Sequence, residues 1–121
     1  MKTNQMNKMY HGFVEEITPI LAKDREQARH EIGRYMTNGS LKVYYTLELA
    51  WPGSSQNIEA EKYYSIEMHW VGPAYRIVGG ISSDDEPKTA TFQVRTGAAW
   101  VTVPGQNEEL LLQFARQFDY S

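Results

Sequence analysis

The chain contains no cysteine, so disulfide scaffolds, thiolate metal sites and cysteine nucleophiles are excluded at once. Histidine is scarce. The three present, His11, His30 and His69, do not stand at metal-ligand spacing from one another. There is no basic excess either. Twelve Lys and Arg stand against 15 Asp and Glu, a net charge of -3, which disfavours nonspecific nucleic-acid binding. Long apolar runs are missing, so no membrane span is expected. The polar start, Met1 to Lys8, is not followed by the apolar stretch of a signal peptide. The expectation is a soluble cytoplasmic protein without membrane contact. No repeat or low-complexity tract breaks the chain, and 121 residues with 41% hydrophobic content suit one domain, residues 1–121.

What is present is periodicity. Met6, Tyr10, Phe13, Ile17, Ile20 and Leu21 share one helical stripe, predicting a helix over 6–21. Pro19 predicts an end near Thr18 or a bend there. Met9 belongs beside that stripe, where core packing is preferred over an adaptable Met-rich binding face. Asp24 and Gln27 stand at capping-box spacing and predict a second helix start. Ala28, Ile32, Tyr35 and Met36 form its stripe, and Asn38-Gly39 its stop. The period then changes to two. Apolar residues occupy every second position from Leu41 to Trp51, the strongest signal in the chain. Further strands follow at Glu61–Val71, Tyr75–Ser82, around Ala90–Val94, and at Ala99–Val103. A last helix follows over 108–118. The fold class expected is α+β: two N-terminal helices, a curved antiparallel meander of four to five strands, and one C-terminal helix.

Several motifs fail on inspection. His30-Glu31-Ile32-Gly33-Arg34 opens like a zinc-protease helix, but Arg34 stands where the second histidine is required. His11 and Glu15, four apart, read as a helix-surface pair. Asn38-Gly39-Ser40 matches a glycosylation sequon, which is idle without secretion. Gly79-Gly80 lacks the surroundings of a phosphate loop and reads as a bulge, a bend or a close helix approach. Gly53-Ser54-Ser55 is not a nucleophile elbow. His69 is the one candidate general base, but only Glu67 or a loop residue could orient it. No catalytic residue, metal site or cofactor is assigned.

The outward sheet face carries the remaining signal. Keeping the apolar faces in phase sets Tyr44 beside His69 and Thr46 beside Glu67. It sets His69 beside Arg76, Arg76 beside Arg95, and Trp100 beside Gln93. Tyr44, Tyr63, His69, Arg76, Arg95 and Trp100 then share one face, with Thr46, Glu67, Thr91 and Gln93 between them. Tyr, Trp and Arg dominate interface hot spots. The expectation is a small non-enzymatic module that binds a partner protein through this face. Stoichiometric inhibitors, of the immunity or phage anti-defence type, have this size. The competing readings are a helix covering the face, or the ordinary Tyr, Thr and Arg content of a solvated sheet. A second functional expectation is a small-molecule binder or small enzyme with a pocket between sheet and helices, lined by Tyr45, Tyr64, Trp70 and Tyr75. A homodimer through the sheet face or an edge strand is a third. Nucleic acid stacking on the same face ranks below these.

Overall fold

A computed structural model describes residues 3–37, 41–48, 61–68, 74–118 and 120. Two helices, α1 (Thr3–Leu21) and α2 (Arg25–Thr37), precede five strands. These are β1 (Leu41–Glu48), β2 (Glu61–Met68), β3 (Tyr75–Ile81), β4 (Thr91–Thr96) and β5 (Ala99–Thr102). Helix α3 (Glu108–Ala115) follows. The strands form one antiparallel sheet in the order β1-β2-β3-β4-β5. This is the expected α+β meander. Among the described residues no helix is long and apolar enough to cross a membrane.

Local chemistry explains the helix limits. Helix α1 runs through Pro19 to Leu21 rather than ending at Thr18. Pro19 sits in the last turn and is exposed, so only one backbone bond is lost, on the solvent side. The hydroxyl of Thr18 donates to the carbonyl of Val14 at 2.6 Å in the same turn. Asp24 caps α2 as its spacing predicts: its Oδ1 accepts from the backbone N–H of Gln27 at 3.0 Å. Asn107 caps α3 in the same way, accepting from Leu110 N–H at 3.3 Å. The stop at Asn38-Gly39 lies outside the described residues, as do residues 49–51 and 69–71 of the two expected longer strands.

One face of the sheet and all three helices share a single core. Met6, Tyr10, Phe13, Ile17 and Ile20 come from α1, Ala28 and Ile32 from α2, and Leu111, Leu112, Phe114 and Ala115 from α3. Tyr64, Ile66, Met68, Tyr75, Ile77, Phe92 and Val94 meet them from the sheet. An aromatic cluster forms the join. The Phe92 ring lies 5.3 Å from Phe13 and from Tyr75, and 5.2 Å from Tyr10 (centroid distances). Phe13 in turn meets Phe114 edge-on at 5.2 Å. The Tyr10 hydroxyl accepts from Asn107 N–H at 2.8 Å, tying α1 to the cap of α3 across the whole chain.

The strand register corrects the expected pairings. Tyr44 stands opposite Ser65, not His69, and Thr46 opposite Tyr63, not Glu67. Arg76 stands opposite Glu67 on one side and Gln93 on the other, not His69 and Arg95. Trp100 stands opposite Arg95, not Gln93. Every displacement is an even number of residues. An odd slip would exchange the buried and outward faces, whereas an even slip leaves them intact, so alternation fixes parity and not register.

Gly79 and Gly80 are not a bulge, because the β2–β3 pairing runs through them unbroken. No helix approaches; the chain leading into β4 does. A Cβ on Gly79 would lie 2.0 Å from the carbonyl oxygen of Thr89. That carbonyl also accepts from the Tyr64 hydroxyl at 2.6 Å, and the Thr89 Oγ1 accepts from Gly80 N–H at 2.8 Å. Lys88 N–H donates to the Gly80 carbonyl at 3.0 Å. The close approach is therefore held by three bonds. Gly79→Ala should destabilise the fold by roughly 1–3 kcal/mol, because the obstacle is backbone rather than a flexible side chain. A denaturant melt with an unchanged midpoint would contradict this.

Tyr64 and Tyr120 stack at 5.3 Å in the core, 2% and 1% exposed. Burial, chiefly, raises both phenol pKa values well above the ordinary tyrosine value. Their folded pKa values lie above the unfolded value, so their contribution to stability is complete below about pH 10 and lost as pH rises beyond it. In an alkaline titration, these two phenols should ionise only together with loss of far-ultraviolet helix signal. Ionisation of all tyrosines before unfolding would contradict the packing.

Candidate functional site

The outward face is built by parity. Core residues take one side of each strand, and the alternate positions are left on the other. The register arranges these positions in cross-strand rows. One row is Lys42, Glu67, Arg76, Gln93 and Thr102. The next contains Arg95 and Trp100. A third, on the other side of the first, contains Tyr44, Ser65, Val78 and Thr91. All three helices contribute to the core on the opposite side, so among the described residues no helix lies on this face. Its described side chains are half-buried, or exposed at Arg95 and Thr102.

Trp100 is the centre of the arrangement. The Arg76 guanidinium carbon lies 4.2 Å from its ring centroid, and that of Arg95 5.9 Å. Both are within cation–π range. A hydrogen-bonded brace fixes the first guanidinium. Arg76 Nε donates to Gln93 Oε1 at 2.8 Å, and Gln93 Nε2 donates to Thr102 Oγ1 at 3.3 Å. Arg95 is held at both ends. Its backbone N–H donates to the Ala74 carbonyl at 2.9 Å and its Nε to the Gly97 carbonyl at 3.1 Å. Gly97 has a φ of 62°, the left-handed turn conformation that glycine adopts without cost, and this turn presents that carbonyl.

The face carries both signs of charge, with Glu67 directly opposite Arg76. Partial burial pulls the Arg76 pKa below the ordinary guanidinium value, and the Glu67 carboxylate opposes that shift. Arg76 stays cationic at neutral pH, as arginine does in proteins. Neither guanidinium makes an ion pair among the described residues. Their side-chain hydrogen bonds use Nε alone, which leaves the Nη donors of both without a partner among those residues. Ser65 Oγ, in the neighbouring row, is enclosed and has no hydrogen-bond partner among the described residues.

Of the six expected partner-binding residues, the structure brings together Arg76, Arg95 and Trp100. Tyr63 shares the face but stands four positions along β2 from Glu67, about 13 Å at ~3.3 Å per residue. Tyr44 stands in the third row by register. His69 lies outside the described residues. Thr102 belongs to the cluster and was not foreseen. Its signal was parity with Trp100, two residues earlier on the same short strand.

The other sites are less promising. Tyr64 and Tyr75, expected to line a pocket, are 2% and 5% exposed and fill the core. Two adjoining grooves of about 440 and 370 Å³ run between the α1–α2 corner, the β3–β4 loop and the end of α3. They share Arg25, Glu86, Arg116 and Gln117, so each wall already holds the opposite charge of the other. His30 and Glu31 lie on α2, with Glu31 paired to Lys23 at 2.6 Å. Among the described residues no three His, Asp or Glu side chains converge on a metal position.

Trp100→Ala removes cation–π contacts on a solvated face and should cost about 1 kcal/mol. Phe92→Ala, on the neighbouring strand β4 and facing the core, should cost about 3–5 kcal/mol. Equal losses in paired denaturant melts would mean that Trp100 is a core residue.

No protein-family model, curated protein or solved structure matches this chain.

Proposed function

We propose that this protein is a small non-enzymatic interaction module that docks a partner protein on its outward sheet face. The observation that carries the reading is Trp100 within cation–π range of two guanidiniums whose Nη donors have no partner among the described residues, on a face that no described helix covers. Large rigid aromatic area and forked cationic donors are what interface hot spots consist of. The brace through Gln93 and Thr102 and the Gly97 carbonyl reduce the entropy that ordering these side chains would cost on binding. Such preorganisation has little purpose in a merely solvated face.

Stoichiometric inhibition is the form of activity that fits a compact cysteine-free chain without a catalytic constellation. The setting proposed is the cytoplasm of a bacterium, or of a cell infected by a phage that encodes the protein.

The test pairs wild type with Trp100→Ala in affinity purification from the source organism. Wild type should retain a protein in equimolar amount, and the captured protein's own activity should fall on adding an equal quantity of this chain. The variant, still folded, should retain at least tenfold less, as loss of a hot spot worth ~1.4 kcal/mol or more implies. Undiminished capture by the variant would remove the face from the binding reaction.

A further inference from the structure

We infer that the group received by this face is a carboxylate of an acidic protein segment, seated against the Nη edges of Arg76 and Arg95 beside Trp100. The inference rests on the docking role proposed above and specifies its chemistry.

Three observations lead to it. First, both guanidiniums spend Nε on internal acceptors, the Gln93 side chain and the Gly97 carbonyl. What remains on each is the pair of Nη groups, a donor set that matches the two oxygens of a carboxylate. Second, one indole ring carries both cations, at 4.2 and 5.9 Å. Both cations thus meet the same ring, and among the described residues neither has a carboxylate in ion-pair contact, so an incoming anion finds both unpaired. Third, the positive charge is local. Among the described residues, the one other basic position in these rows, Lys42, is on β1, at the opposite edge of the sheet from Trp100 on β5. Glu67 stands directly opposite Arg76, and the chain as a whole carries -3.

The third point separates carboxylate from phosphodiester. A nucleic acid strand gains affinity from a track of cations along successive phosphates. Two arginines in a net-acidic chain offer a receptor for one or two acidic side chains and no track beyond them. Arginine is also the better residue here for a reason of shape: lysine would supply charge over the ring but no second donor in plane.

The experiment uses the full chain labelled with nitrogen-15 and three probes: a hexaglutamate peptide, a hexaglutamine peptide and an oligothymidylate. The Trp100 indole N–H and the Arg76 and Arg95 Nε–H resonances should shift saturably with hexaglutamate and stay in place with hexaglutamine. Arg76→Gln and Arg95→Gln should each weaken hexaglutamate binding about tenfold, with melting temperatures within a few degrees of wild type. Arg76→Lys should recover only part of the loss.

No shift with hexaglutamate overturns the inference. Equal or tighter binding of oligothymidylate also overturns it and assigns the face to phosphate. Self-association that Arg95→Gln abolishes but that hexaglutamate does not compete away, measured by sedimentation, overturns it, because the face would then serve a second copy of this chain through contacts other than a carboxylate. The parent reading fails separately. If the retained partner is lost with Trp100→Ala but not with the two Arg→Gln variants, docking on this face stands and the carboxylate falls. If neither kind of change affects retention, both fall.

Discussion

The packing of Phe13 and Phe114 against Phe92 and Tyr75 is the contact on which the remaining architecture depends. It draws the first and last helices to one side of the sheet. Each of these rings removes a large apolar area from water, and their tilted and edge-on geometries add to that burial. Tyr10 extends the same join by closing on Phe92 and by accepting from the first residue of the α3 cap. Gln106 supports it from below the sheet edge: its side-chain amide accepts from Phe92 N–H at 2.6 Å and donates to the Phe92 carbonyl at 2.7 Å. With all three helices committed to this side, the alternate residues of five strands have no helical cover among the described residues.

That division of labour gives the outward face its character. On the core side, polar groups are rare and the hydroxyls of Tyr10, Tyr64 and Tyr120 find backbone partners at Asn107, Thr89 and Ala115. On the outer side, polar groups are paired with one another in a chain from Arg76 through Gln93 to Thr102, and among the described residues the chain ends in Nη donors without a partner. A surface serving only solubility would gain little from such bracing, since solvated side chains are favoured by their freedom. Bracing lowers the cost of association instead. The reading as a docking face and the reading as a carboxylate receptor both follow from this one contrast.

The sequence made the parity of every strand legible, and with it the core. Tyr64, Ile66, Met68, Ile77, Phe92 and Val94 were identifiable by alternation alone, because burying one side of a pleated strand demands it. The helix start at Asp24 was legible because the cap is a local bond between residues three apart. Register was not. Pairing Arg76 with Gln93 rather than Arg95 depends on where each turn closes, and an even slip costs the alternation pattern nothing. The role of Gly79 was not legible either, since the atom that excludes a side chain there, the Thr89 carbonyl, is brought in by tertiary structure. For the candidate site, residue types and face were readable, whereas the stacking of both arginines on Trp100 required the register that sets Arg95 directly across from it.

The central claim is that the helices close one face of the sheet and that, among the described residues, no helix covers the other. Hydroxyl-radical footprinting of the free protein, read by mass spectrometry residue by residue, tests this most directly. The account predicts rapid oxidation at Trp100 and strong protection at Phe13, Phe92 and Tyr64. Protection of Trp100 equal to that of Phe92 would mean that the outward face is covered in solution, and would contradict the account.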